Sequence, residues 1–476
     1  MRVLLLQHGP GPRDLGANID PVLARCSGIW SKANYAMPPV GLLSCATILE
    51  RDVDGCRCDV LDLAHDRLHG AAALEAMRSV GAEVLIHTPA SASLERDLTA
   101  VRDWQHAHPG GWVVALGTHA SEEPASVLRA DRQAVVHGEP EARLVRLVQA
   151  LTRGASSREL GALPGISMRV DGELRRGPAD GSLLDLDSLP IPDRRWVVGH
   201  RYRPPFARPG PFALVLASRG CPHGCHFCAS QAFYGQEFRQ RSSALVLEEV
   251  QALARHGIDT VGFWDDSFTV DRRWVLELCA GLEAMPRRPG WICMSRADAV
   301  DPELLAAMAR AGCYQIQFGV ESASELLLTE LGKPTSNARV RRAFADAREA
   351  GLETAGFFML GLPGESVPQR RATVRFALEL DPDYVSFNLF SALPGTPVYR
   401  ALGGASREWS RANGASARGG DRALERDLGL AYLRFYARPR YLGRQLRGLR
   451  SSERALVLVR SGARVMRSAV ERLWGP

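Results

Sequence analysis

Arg219-Gly220-Cys221-Pro222-His223-Gly224-Cys225-His226-Phe227-Cys228 carries three thiols separated by three residues and then two. Thiols at that spacing can wrap one corner of a four-iron cube. Each iron of such a cube is ordinarily held by a thiolate, so a set of three leaves one iron open to a small-molecule ligand. Gly220 and Gly224 permit the tight turns that point neighbouring sulfurs inward. Phe227 can shield the cluster edge from water. Zinc is the competing occupant, with His223 or His226 as its fourth ligand. A disulfide fits poorly, because an odd cysteine cluster in a long chain without a signal peptide suits a reducing compartment.

The bulk numbers set the frame. A chain of 476 residues suggests two or three domains with ample core. Hydrophobic content of 46% and charged content of 24% are ordinary for a soluble globular protein. No apolar run reaches transmembrane length, and Met1–Leu6 is too short for a signal sequence, so it reads as the first buried strand of a cytoplasmic protein. A net charge of +6 is mild. Arg so outnumbers Lys that only Lys32 and Lys333 occur, a bias that argues for composition rather than nucleic-acid binding.

Outward from the cysteines, residues 206–400 repeat a strand followed by a helix. The strand-like runs are 212–217, 260–264, 291–295, 314–320, 354–360 and 384–390, with helical periodicity between them. Such units curl into a barrel or partial barrel whose active site lies at the carboxyl ends of the strands. The cysteines follow the first strand directly, which puts them at that mouth. Other strands end in Asp265-Asp266, Arg296, Glu321-Ser322 and Glu365. A guanidinium there suits a carboxylate, and acidic groups suit an ammonium or ribose hydroxyls.

The Cys-x3-Cys-x-aromatic-Cys pattern, with these strand ends, resembles the radical S-adenosylmethionine (SAM) superfamily. That resemblance implies a partial (β/α)6 barrel and a [4Fe–4S] cluster on Cys221, Cys225 and Cys228. It implies SAM chelating the open iron beside Phe227. Asp265 or Asp266 would hold the SAM amino or ribose groups, Arg296 would face its carboxylate, and Glu321 and Ser322 would face the nucleoside.

Upstream, residues 1–150 alternate strands with helices at the pitch of a doubly wound parallel sheet, Rossmann-like but without a Gly-x-Gly-x-x-Gly fingerprint. Ligands of such sheets sit beyond the carboxyl ends of the strands. The order of its pieces resembles the cobalamin-binding domain that precedes many radical SAM barrels. By that resemblance Val40, Gly41, Leu42, Thr88, Ser91, Gly117, Thr118, His119, Gly138, Glu139 and Pro140 are the expected contacts. The Asp-x-His-x-x-Gly pattern that supplies a cobalt ligand in many cobalamin proteins is replaced by Gln7-His8-Gly9-Pro10-Gly11-Pro12. Cobalamin is therefore expected without a histidine axial ligand, and His8 and His65 read as loop histidines. Cys26, Cys45, Cys56 and Cys58 could mimic the second cluster of methylthiotransferases, but Cys56 and Cys58 flank a strand start and read as structural.

Residues 151–205 read as a linker with a short hairpin turning at Asp171-Gly172. Residues 401–476 read as a basic helical region, with a loop over 403–420 and amphipathic helices over 428–449 and 455–473. These helices suit a cap packed on the barrel, with peripheral membrane contact as the other reading.

The resemblance implies a methyltransferase that places a methyl group on an unactivated carbon of a small-molecule substrate, using a 5′-deoxyadenosyl radical and methylcobalamin. A flavodoxin or ferredoxin would supply electrons. The alternatives are a cobalamin-dependent cyclase, ring-contraction or oxidative enzyme, a methylthiotransferase with two clusters, and a non-catalytic cobalamin or redox sensor.

Overall fold

The computed structural model describes residues 1–9, 36–202, 204, 207–403 and 422–447, with scattered helical positions between 459 and 473. The expected loop after the first strand, Cys26, most of the 403–420 loop and most of the 455–473 helix lie outside the described residues.

Two parallel sheets dominate. The first contains β1 (Arg2–Gln7), β2 (Arg57–Asp62), β3 (Val84–His87), β4 (Trp112–Ala115), β5 (Gln133–Val136), β6 (Ile166–Val170) and β7 (Glu173–Arg176) in the order β2-β1-β3-β4-β5-β6-β7. β1 pairs with β2 on one side and β3 on the other, so the winding reverses there, and a ligand site is expected at such a switch. β1 reads Val-Leu-Leu-Leu because both of its faces are covered by helices. β6 and β7, expected in the linker, join β5 antiparallel. The sheet therefore runs on to Arg176, past the boundary expected near 150. Ile166, Met168 and Val170 explain this: they bury against the same core as β5, which a free-standing hairpin would leave in water.

The second sheet is the partial barrel. It is built from β8 (Phe212–Val215), the short pair β9 (Ser218–Arg219) and β10 (Arg239–Gln240), then β11 (Thr260–Phe263), β12 (Gly290–Ser295), β13 (Cys313–Glu321), β14 (Glu353–Leu360) and β15 (Tyr384–Leu389). Six of these form one parallel sheet in the order β15-β14-β13-β12-β11-β8, and β15 does not close onto β8. All six strand-like runs of the sequence appear.

An open barrel leaves β15 with an unpaired edge, which is an aggregation liability. The helix Arg422–Tyr436 covers it. The Tyr432 hydroxyl accepts from the Phe387 N–H at 3.1 Å and donates to the Phe387 carbonyl at 2.9 Å. Tyr436, one turn on, does the same for Val385 at 3.1 and 2.8 Å. The cap reading of the tail holds for this helix. The single helix expected over 428–449 is instead two, Arg422–Tyr436 and Pro439–Arg447, because Pro439 disfavours helical backbone at Arg438. Among the described residues no helix is long and apolar enough to cross a membrane.

Val40, at the start of the helix Val40–Asp52, packs with Phe212, Leu214 and Trp264 of the barrel and with Tyr202 of the connector. One apolar cluster thus joins the two sheets, and the carboxyl edge of the first comes down onto the mouth of the second.

Candidate active site

The cysteines occupy the loop that leaves β9, continues through the helix Ala229–Tyr234 and returns at β10. Gly220 is required by geometry. Its φ is +81°, and a Cβ there would lie 2.1 Å from the Glu237 carbonyl oxygen. Two other loops pin this one from outside. The His226 N–H donates to the Leu331 carbonyl at 2.8 Å, and the Val398 N–H donates to the His226 carbonyl at 3.2 Å. Gly332 has φ +72° and a Cβ position 2.4 Å from the Gly224 carbonyl oxygen, so the 332–334 turn fits only without a side chain.

Cys225 is buried, and Cys221 and Cys228 are partly exposed. Burial pushes the Cys221 thiol up to about 11. Burial also raises Cys225, against the pull of Lys333 and Arg296. These cysteines therefore ionise when a metal displaces their protons. Among the described residues, one trio gathers its possible ligating atoms within 4.8 Å: His65, Asp66 and His200. In that His65 trio both imidazole nitrogens are in use, on Asp66 at 2.9 Å and the Arg201 N–H at 3.2 Å.

Positive charge gathers behind the thiols. Arg296 Nη1 lies 3.9 Å from Cys225 Sγ, and Asp298 orients the guanidinium through contacts of 2.8 and 2.6 Å. Buried Lys333, absent from the sequence-based set, donates to Glu321 Oε1 at 2.7 Å and to the Gly319 carbonyl at 2.8 Å. Its sequence signal was rarity, as one of two lysines in an Arg-rich chain. Glu321 has φ +65°, a conformation that non-glycine residues rarely adopt and that recurs at functional sites.

The remaining barrel candidates divide. Asp266 Oδ2 accepts from Ser230 Oγ at 2.6 Å, on the helix after the cysteines. Asp265 Oδ1 accepts from the Ala217 N–H at 3.1 Å and Ser218 Oγ at 2.6 Å, which braces the entrance of the cysteine loop. Ser322 sits in a turn, 3.2 Å from Thr373 Oγ1, and accepts from the Ser324 N–H. Phe227 packs with Leu327, Leu331, Phe390 and Met359, forming an apolar wall on one side of the loop. Glu365 accepts from the Gly361 N–H inside its own turn.

At the carboxyl edge of the first sheet, Gln7 at the end of β1 is fully buried, yet neither of its amide atoms has a hydrogen-bond partner among the described residues. The same holds for Nε2 of buried His87 at the end of β3 and for Oγ1 of Thr118 after β4. Such atoms also occur elsewhere, for example Ser267 Oγ after β11, but here they gather at strand ends of one sheet, which suits a ligand rich in polar groups. Thr88 is buried beside them, and Gly117 (φ +96°) and Gly138 (φ +59°) turn the backbone without side chains. These features fit a large polar cofactor such as cobalamin.

His119 spans Ser91 Oγ at 2.8 Å and Ser126 Oγ at 3.0 Å, and burial holds its imidazole down at about 4. Glu139 turns its carboxylate to Arg219 and Arg239, while Pro140 leads into the helix Glu141–Thr152. Val40, Gly41 and Leu42 are buried in the first turn of their helix. His8 lies in the loop directly after β1, as expected, but is buried there, with Nε2 3.1 Å from His87 Nδ1.

The thiol-bearing loop lies at the mouth of a six-stranded partial barrel, and the radical SAM superfamily profile matches residues 215–377, which include the loop and most of the barrel. The chain is 28% identical over 365 residues to the uncharacterized methyltransferase PH0819 of Pyrococcus horikoshii, covering 76% of this chain and 78% of that one. Its fold is similar to the methyltransferase TsrM of Kitasatospora setae solved with tryptophan and a SAM analogue, with TM-score 0.66, 20% identity, and 85% and 76% of the two chains covered. It is similar also to OxsB, a cobalamin-dependent SAM radical enzyme solved with aqua-cobalamin and SAM, with TM-score 0.69, 13% identity, and 98% and 72% covered. Residues 215–377 thus match the radical SAM superfamily, and the fold of the chain as a whole is similar to that of these two enzymes.

Proposed function

We propose that the protein is a cobalamin-dependent radical SAM methyltransferase acting on an unactivated carbon of a small molecule. The observation that carries this reading is the meeting of two edges: three thiols at the barrel mouth, and an orphan-lined sheet edge facing them. When bound, the [4Fe–4S] cluster with SAM supplies a 5′-deoxyadenosyl radical, and cobalamin supplies the methyl group.

The chain's own residues prepare the site. Cys221, Cys225 and Cys228 hold the metal, and Arg296 and Lys333 place positive charge against the thiolates, favouring their ionised form. Asp298 keeps the Arg296 guanidinium oriented. Phe227, with Met359 and Phe390, keeps water from one flank. Asp266 and Glu321 line the same mouth and suit the amino and ribose groups of SAM. Gln7, Thr88, Thr118 and the glycine turns at 117 and 138 receive cobalamin. His119, committed to two hydroxyls, does not serve as a cobalt ligand. The protein works in the cytoplasm with a flavodoxin or ferredoxin as reductant.

The test is anaerobic reconstitution with iron, sulfide and hydroxocobalamin, followed by dithionite and SAM. Four irons per chain, a bound-cobalamin spectrum and 5′-deoxyadenosine are expected. Zinc in place of iron, or no SAM cleavage, would sink the reading.

A further inference from the structure

The cysteine loop meets the N-terminal domain through one buried ionic knot. Arg219, two residues before Cys221, is 6% exposed. Its Nη1 donates to Glu139 Oε2 at 2.8 Å and Glu141 Oε2 at 3.1 Å, and its Nη2 donates to Glu141 Oε1. Arg239 grips the other side of Glu139 and donates to the Leu184 carbonyl at 2.9 Å. The two arginines are partners across the β9–β10 pair, so the knot closes the base of the loop that bears the cysteines. The two glutamates flank Pro140, directly after the Gly138 turn at the sheet's ligand edge. Gly138 itself faces the Phe233 carbonyl of that loop, with a Cβ position 3.7 Å away.

A buried ion pair is a weak source of net stability, because desolvation of both charges offsets their attraction. Its particular contribution is direction. A guanidinium fork fixes both distance and angle to the carboxylates it meets. Here the fork joins the loop that holds one cofactor to the loop at the edge that receives the other, with Glu141 only 1% exposed.

We propose that Arg219, Glu139 and Glu141 form a positioning latch that sets the spacing between the cysteine loop and the ligand edge of the first sheet. The proposal rests on the cofactor assignment above, and its test separates the two. Glu141→Gln leaves one carboxylate on Arg219, and Arg219→Lys keeps the charge but loses the fork. Both would be purified as full chains, reconstituted with iron and sulfide and loaded with hydroxocobalamin.

Two readouts besides turnover report the spacing. Relaxation enhancement of the cob(II)alamin resonance by the reduced cluster reads the distance between the metals, and hydrogen exchange reads the amides of 137–143 and 219–240. In Glu141→Gln, iron content should match the parent. Exchange in both segments should quicken about tenfold, as expected for opening of one local unit. The relaxation enhancement should also change, with Arg219→Lys intermediate in both readouts. Unaltered exchange and relaxation in Glu141→Gln would overturn the latch. Loss of iron in both variants would overturn it too, since the pair would then serve folding of the loop rather than its placement. If the parent protein binds no cobalamin, the cofactor assignment fails, and the exchange rates alone still decide whether the two segments are coupled.

Discussion

The two facing edges differ in how their polar groups are matched. At the barrel mouth the charged side chains are already matched: Arg296 with Asp298, Lys333 with Glu321, Asp266 with Ser230. At the carboxyl edge of the first sheet, Gln7, His87 and Thr118 bury polar atoms without partners among the described residues. A compact, highly charged inorganic group needs a fixed field, which paired side chains provide at no further reorganisation. A large organic cofactor brings its own donors and acceptors, so the protein leaves polar atoms for it to satisfy. Paired charge thus marks the one edge and unpartnered polar atoms the other, although Ser267 Oγ after β11 also lacks a hydrogen-bond partner among the described residues.

That contrast can be broken in four ways. The largest effect belongs to Cys225→Ala, which should abolish 5′-deoxyadenosine formation, read by chromatography of the dithionite reaction, while leaving cobalamin binding in place. If both vanished together, the edges would not be separable sites. Lys333→Met comes next. It strands the Glu321 carboxylate, whose side chain is 14% exposed. Chemical denaturation should show a loss of about 3 kcal/mol, the scale for breaking a buried pair.

Acid tests the other edge. The His119 imidazole is held by burial at about 4. Between the ordinary value near 6.5 and that value, the unfolded chain binds a proton that the folded protein does not. Stability is therefore full above about 6.5 and falls towards pH 4, by up to about 3 kcal/mol. His8, held by burial at about 3, adds a loss of the same sign. His119→Asn should flatten only its own share of the slope in urea titrations across that range. The smallest effect is expected for Gln7→Leu, which removes an unsatisfied buried amide. The protein without cobalamin should gain about 1 kcal/mol, while cobalamin titration shows weaker binding. A loss of stability instead would mean that Gln7 is satisfied within the protein.

The barrel was legible because its evidence is local. Each strand of the six-stranded sheet is a short, mostly apolar run, and the three thiols lie within one loop, so spacing alone narrows the chemistry. The hairpin at 166–176 was assigned to the linker because its turn is visible in sequence but its pairing to β5 is not. The helix break at Arg438 was available from Pro439 and was outweighed by a periodic pattern that continues on both sides. The glycine- and proline-rich neighbours of His8 place it in a loop, but its burial against His87 is not visible in them.

Lys333 shows the general limit. It lies 108 positions beyond Cys225 in the chain, and nothing in the turn Gly332-Lys333-Pro334 announces that it will stand behind a thiol. The same holds for the Arg219 knot, whose partners are separated by 80 and 78 residues.

What the sequence determined by itself was the repeated strand–helix pattern, hence two parallel sheets, and the thiol triad, hence a metal at a strand end. These follow from periodicity and covalent spacing, which act over a few residues. Only the tertiary structure decided which charges pair, which polar atoms are left over and how the two edges meet. Those outcomes depend on burial and on contacts between distant segments, and both come into being only when the sheets have packed.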